Sequence, residues 1–118
     1  MREPIRDEGR LKHIVEYAEN IEKMISNISF EQFEKDNILY FAVMKNVEVV
    51  GEAAYMLSKE FIVSHPELPW QQIIGMRHVL VHGYATVSKQ KLWNTAKNDI
   101  PPLKQQVLLY LKEYEGNE

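Results

Sequence analysis

Apolar residues in the N-terminal part of the chain recur at spacings of three and four. Leu11, Ile14, Val15, Ala18, Ile21, Ile25 and Ile28 share one face, and Lys12, Glu16, Glu19, Glu22 and Lys23 lie largely opposite. That period predicts an amphipathic helix. Ser29 stands three residues before Gln32, the offset of a capping box, so a second helix is expected to begin there and to break near Asp36 and Asn37. A long helix is then expected from about Ile38 to Val63, with Leu39, Val43, Val47, Val50, Ala54, Leu57 and Phe61 on its main face. Gly51, Ala53 and Ala54 in its middle would let another helix come close, or would simply pack in the core.

The run Ser64-His65-Pro66-Glu67-Leu68-Pro69 is the clearest break, because two prolines so close together cannot continue a helix interior. Pro69 suits the first turn of a following helix that carries Trp70, Ile73, Ile74, Arg77, Leu80 and Val81, and Gly83 is a natural stop. Ser88 is expected to cap a further helix holding Leu92, Trp93 and Ala96. Asp99 is expected to cap the last one, where Pro101 and Pro102 are tolerated in the first turn and Leu103, Val107, Tyr110, Leu111 and Tyr114 form the buried stripe. No strand alternation or internal repeat is visible. The expected fold is all-α, an up-and-down bundle of four long helices plus one or two short ones.

With 118 residues, 45% of them hydrophobic, the chain suits one domain spanning residues 1–118. A net charge of −3 argues against a general polyanion binder and leaves only a local basic patch for a nucleic acid. Cysteine is absent, which excludes disulfides, thiolate zinc sites and a cysteine nucleophile. The N-terminus is charged throughout and lacks a signal peptide's apolar core, and the longest apolar run, Ile38 to Met44, is far too short to span a bilayer. A cytoplasmic protein with no membrane association is expected.

The chemistry is concentrated in Met76-Arg77-His78-Val79-Leu80-Val81-His82-Gly83-Tyr84. Arginine offers a planar fork of donors for phosphate oxygens, and histidine can move a proton near neutral pH. No Asp or Glu occurs from Leu68 through Asn98, although the chain holds 17 acids, so this stretch reads as a locally anion-tolerant surface. Arg77 and His82 are five positions apart, which puts them roughly 140° apart around a regular helix. Convergence would need the helix to loosen at Gly83, or a two-fold partner to bring a second Arg77 and His82 to one groove. His78 and His82 do share a face, but zinc needs at least a third protein ligand and this segment has no carboxylate, so no metal site is assigned. Both histidines also fit a polar, water-exposed helix end. Lys89 and Lys91 could hold phosphates, although solvated lysines are commoner. Trp70 and Trp93 sit on amphipathic helices and read as core anchors rather than stacking platforms, and His13 and His65 as a boundary and a loop residue.

Arg77 through Tyr84 spells R-x4-H-x-Y, and it follows Gly51-Glu52-Ala53-Ala54 and the entry Pro66-Glu67-Leu68-Pro69-Trp70-Gln71-Gln72-Ile73-Ile74-Gly75-Met76. Together these resemble the HepT-like branch of the HEPN superfamily, over nearly the full chain. One departure is His78, where asparagine is common after the family arginine.

The resemblance implies a homodimeric, metal-independent endoribonuclease toxin that needs no cofactor. Arg77 and His82 would be catalytic, with His78 in support. The implied partner is a MntA-like nucleotidyltransferase antitoxin that transfers AMP to Tyr84. An alternative from another class is a non-catalytic dimeric helical module that positions the nucleotidyltransferase.

Overall fold

The N-terminal apolar stripe becomes helix α1 (Asp7–Ile25), which buries Leu11, Ile14, Ala18, Ile21 and Ile25. The structure, a computed structural model, describes residues 6–83 and 86–115. Helix α2 (Phe30–Lys35) opens on the expected capping box: Ser29 Oγ accepts from the Gln32 amide at 3.2 Å, and Gln32 Oε1 accepts from the Ser29 amide at 2.8 Å. Asp36 closes α2 with its own amide and caps the next helix, where its carboxylate accepts from the Leu39 amide at 3.0 Å. Helix α3 (Asn37–Tyr55) starts at this hinge.

Two boundaries differ from expectation, each for a physical reason. The long helix stops at Tyr55 instead of reaching Val63, and a short helix α4 (Lys59–Ser64) follows. Asp7 causes the break. Its carboxylate accepts from the Ser58 amide at 2.8 Å and from the Ser58 hydroxyl at 2.6 Å, and the same hydroxyl caps α4 at Phe61. Leu57 and Phe61 remain buried across the corner, so the apolar pattern is unbroken even though the helix is not.

Helix α5 (Trp70–His82) follows the proline-bounded loop. Helix α6 (Lys89–Asn94) is capped by Ser88 as expected, but Asp99 begins no new helix. The chain runs through a π-helical turn (Thr95–Asp99) directly into α7 (Ile100–Glu115), with the Ile100 amide donating to the Thr95 carbonyl. A proline ring clashes with the carbonyl four residues before it, and a wider turn relieves that clash without ending the helix. Pro101 and Pro102 sit immediately after it.

Helix α1 packs between α3 and α7, and α5 rests chiefly on the far side of α3. At one end Phe30, Phe33, Tyr40 and Trp93 form an aromatic cluster, with Phe33 and Trp93 centroids 5.2 Å apart and the Tyr40 hydroxyl donating to the Val87 carbonyl at 3.1 Å. Burial raises the pKa of Tyr40, which keeps that hydroxyl a donor. Trp70 and Trp93 are both buried in the core. Among the described residues there is no strand, and no helix is long and apolar enough to cross a membrane.

At the other end His65 ties α4 to α7. Its ring stacks on Phe61, Nδ1 lies 2.9 Å from the Phe61 carbonyl, and Nε2 lies 2.9 Å from the Glu113 carboxylate. Acceptors at both ring nitrogens suit the doubly protonated imidazolium. Burial favours the neutral ring, but the Glu113 and Phe61 hydrogen bonds and the charges of Glu113 and Glu67 outweigh it, so the His65 pKa stands above its usual value. Tyr110 borders the same ring, and its phenol, held neutral by burial and by its hydrogen bond to Glu67, does not titrate near neutrality.

A raised folded-state pKa gives stability that is complete below the unfolded value and is lost as pH rises through the folded one. The urea midpoint is therefore expected to fall from pH 6 to pH 8.5. His65→Gln is expected to flatten that dependence, and an unchanged slope in this variant would refute the His65 assignment.

Candidate active site

Helix α5 is built unlike its neighbours. Pro69 precedes its first residue and offers its carbonyl to the amides of Gln72 and Ile73, and the Trp70 indole donates to the His65 carbonyl at 2.7 Å. These contacts fix where α5 begins. Its sequence is largely apolar, yet only Trp70 and Leu80 are fully buried, and Val79 and Val81 are exposed.

The crossing of α5 over α3 is set at Gly51. A β-carbon there would lie 2.6 Å from Arg77 Cβ and 3.2 Å from Arg77 Cα and N. The glycine is thus required by close approach rather than by simple core packing, and it puts the Arg77 backbone directly on α3. From there the Arg77 side chain runs along α3. Its Nε–H donates to the Glu52 carboxylate, and its guanidinium lies 4.7 Å from the Tyr55 ring centroid.

This geometry corrects the reading of an acid-free surface. The segment from Leu68 to Asn98 contains no carboxylate, but α3 delivers Glu52 to its arginine. Neither Glu52 nor Tyr55 stands out in the sequence as a site residue. They lie one and four positions after Gly51, so they flank any helix that crosses there, but that crossing is a tertiary fact.

His78 and His82 lie on the same exposed side, with ring centroids 4.7 Å apart. Helix α5 stays regular through His82, and the Gly83 amide returns to the Val79 carbonyl at 2.7 Å. The helix therefore does not loosen in time to bring His82 to Arg77: one side chain reaches across to α3 and the other packs on His78. Among the described residues no hydrogen bond joins Arg77 to His82, and no cluster of three or more His, Cys, Asp or Glu residues surrounds the histidines.

The remaining expected site residues divide. Lys89 donates to the Glu34 carbonyl at 2.8 Å and to Asn37 Oδ1 at 2.9 Å, and so stitches the α2–α3 junction. Lys91 is exposed, and its amide is the one capped by Ser88. Tyr84 lies outside the described residues.

The fold and this helix define a class: an all-helical domain whose arginine and histidine pair sits on one exposed helix. The chain belongs to the family described as ribonuclease HepT-like, whose model matches residues 14–109. A candidate RNase of Caldanaerobacter subterraneus is 40% identical over 97 residues, covering 82% of this chain and 87% of that protein. A protein of Thermococcus cleftensis named probable ribonuclease HepT is 42% identical over 94 residues, covering 80% and 86%. A candidate RNase of Methanocaldococcus jannaschii is 33% identical over 116 residues, covering 98% and 96%. No solved structure matches the chain.

The crossing makes opposite predictions for two glycines. Alanine is intrinsically about 1 kcal/mol better than glycine inside a helix. At Gly75 a β-carbon would meet nothing within 4 Å, so Gly75→Ala is expected to raise stability by about 0.5–1 kcal/mol. At Gly51 the clash is with a β-carbon and backbone, not with a flexible tip, so Gly51→Ala is expected to lower stability by about 1–3 kcal/mol. Urea titration decides it. A Gly51→Ala protein as stable as the parent would show that the helices do not cross this tightly.

Proposed function

We propose that this protein is a metal-independent endoribonuclease of the toxin type, acting on RNA in the cytoplasm. The observation that carries the reading is Arg77, anchored at the α3–α5 crossing on the helix that also exposes His78 and His82, in a chain of the HepT-like family. Neutral His82 takes the proton from an RNA 2′-hydroxyl. The 2′-oxygen bonds to the adjacent phosphorus, and the 5′-oxygen leaves and takes up a proton. Arg77 donates to the phosphorus oxygens as charge builds on them. The products are a 2′,3′-cyclic phosphate and a 5′-hydroxyl, and no step calls for a metal ion or cofactor. His78 supports the base by packing against its ring, and Lys91, with Lys89 beside it, offers positive charge to flanking phosphates.

The working form is a homodimer. Within one protomer Arg77 and His82 diverge, and the same surface exposes Phe41, Val79 and Val81. Phe41 and Val81 line one groove with Lys45 and Glu48, so these two apolar residues are contiguous. A two-fold axis through this face would cover them and pair Arg77 of one protomer with His82 of the other. The divergence of the pair also favours a second reading, a non-catalytic module that positions a nucleotidyltransferase, and loss of RNA cleavage as the assayed activity separates the two.

The regulator is a MntA-like nucleotidyltransferase antitoxin that transfers AMP from ATP to the Tyr84 phenol oxygen, releasing pyrophosphate. The added phosphodiester charge competes with RNA phosphate for the Arg77 donors.

Purified protein is expected to cleave RNA in excess EDTA, and Arg77→Ala and His82→Ala are each expected to lose ~10²–10⁴ in rate while staying folded. Mixing the two inactive variants tests the shared site. Exchanged heterodimers would hold one intact Arg77–His82 pair, restoring about a quarter of the parental activity. No recovery on mixing would place the site within one protomer, and full cleavage by folded His82→Ala would overturn the catalytic assignment.

Incubation with the cognate nucleotidyltransferase and ATP is expected to add one AMP mass to the peptide containing Tyr84 and to suppress cleavage. Neutralisation of a Tyr84→Phe protein that remains unmodified would show that this tyrosine is not the switch.

A further inference from the structure

We infer that Glu52 is a positioning residue for Arg77, with Tyr55 as the second wall of the same seat; the inference rests on the ribonuclease reading above for its catalytic consequence. An arginine has four rotatable side-chain bonds, and its guanidinium must meet the phosphate in one orientation for both donors of a fork to bond. A free surface arginine would sample many orientations, and most of them would waste the fork. Here three features restrict it. Gly51 seats the Arg77 backbone against α3, Glu52 takes the Nε–H, and the guanidinium carbon lies over the Tyr55 ring.

The geometry divides the guanidinium into two parts. Its Nε side is spent on Glu52, and its carbon lies over the Tyr55 ring. The Nη1/Nη2 edge is the planar fork suited to two phosphate oxygens. Arg77 keeps 26% of its side-chain surface exposed, so the group is held but not sealed.

A carboxylate beside a phosphate-binding arginine could instead act as a built-in inhibitor, occupying the donor until RNA displaces it. Two observations weigh against this. Glu52 engages Nε, not the terminal fork, and its side chain is 47% exposed, so water screens its charge. What Glu52 contributes is orientation, and that differs from neutralisation in its consequences. Loss of orientation lowers turnover, whereas loss of an inhibitory charge raises it.

The experiment compares Glu52→Ala and Glu52→Gln on a short RNA. Glutamine keeps an acceptor for Nε–H without the charge, and alanine keeps neither. Glu52→Ala is expected to lower kcat about 10- to 100-fold with little change in KM, and Glu52→Gln to recover most of that loss. In parallel, the Arg77 Nε–H is followed by NMR in the uncleaved protein. Slow exchange with water is expected in the parent and in Glu52→Gln, and fast exchange in Glu52→Ala.

Equal or faster cleavage by Glu52→Ala would overturn the inference in favour of an inhibitory charge. Equal loss in both variants, with matching falls in melting temperature, would overturn it in favour of a role in folding. If the parent fails to cleave RNA while the Arg77 exchange pattern holds, the ribonuclease reading fails and the seat for Arg77 stands.

Discussion

The close crossing of α5 on α3 is the constraint from which the rest of this molecule follows. With glycine at position 51 the Arg77 backbone rests on α3 without an intervening side chain. The arginine is then long enough to run along its neighbour, and it meets Glu52 and Tyr55 because those positions lie beside and one turn beyond the crossing point. A bulkier residue at 51 would lift α5 and move the arginine, so packing and site geometry are one problem here rather than two.

How the helices are held around the start of α5 and at the α2–α3 junction is set by polar ties between residues distant in the chain. Asp7 at the start of α1 captures Ser58 and turns α3 into α4. His65 at the end of α4 binds Glu113 of α7 and, through its carbonyl, the Trp70 indole at the start of α5. Lys89 locks the α2–α3 junction at the opposite end. Each tie joins elements that the apolar core alone would let slide, because burial is non-directional while a hydrogen bond fixes a register.

Within the chain, the arginine and the histidines of α5 are held apart. One protomer presents a seated arginine and, on an adjoining strip of the same helix, two packed imidazoles. Reaction at a phosphodiester requires base and charge stabiliser on one group of atoms at once. Phe41, Val79 and Val81 are exposed apolar residues, and Phe41 and Val81 line one groove beside α5.

Much of the secondary structure was legible in the residues themselves. The α1 stripe, the Ser29 capping box, the Asp36 hinge, the proline-bounded loop and the Ser88 cap depend on neighbours within a turn or two, and short-range spacing reports short-range physics. The motif from Arg77 to Tyr84 was visible for the same reason, and together with the Pro66–Met76 entry and the helical layout it pointed to the family. Three features were not legible: the stop at Tyr55, the π turn that carries the chain past Pro101, and the carboxylate at Arg77. The first needs Asp7, which is 51 residues from Ser58 in the chain, and the second is one of the local solutions to a proline clash that the sequence leaves open. The third needs the crossing at Gly51. The sequence alone thus determined most helix starts and the Arg77–His82 motif, because those properties are local. Tertiary structure alone decided what each of those residues faces, because that is set by contacts between segments far apart in the chain.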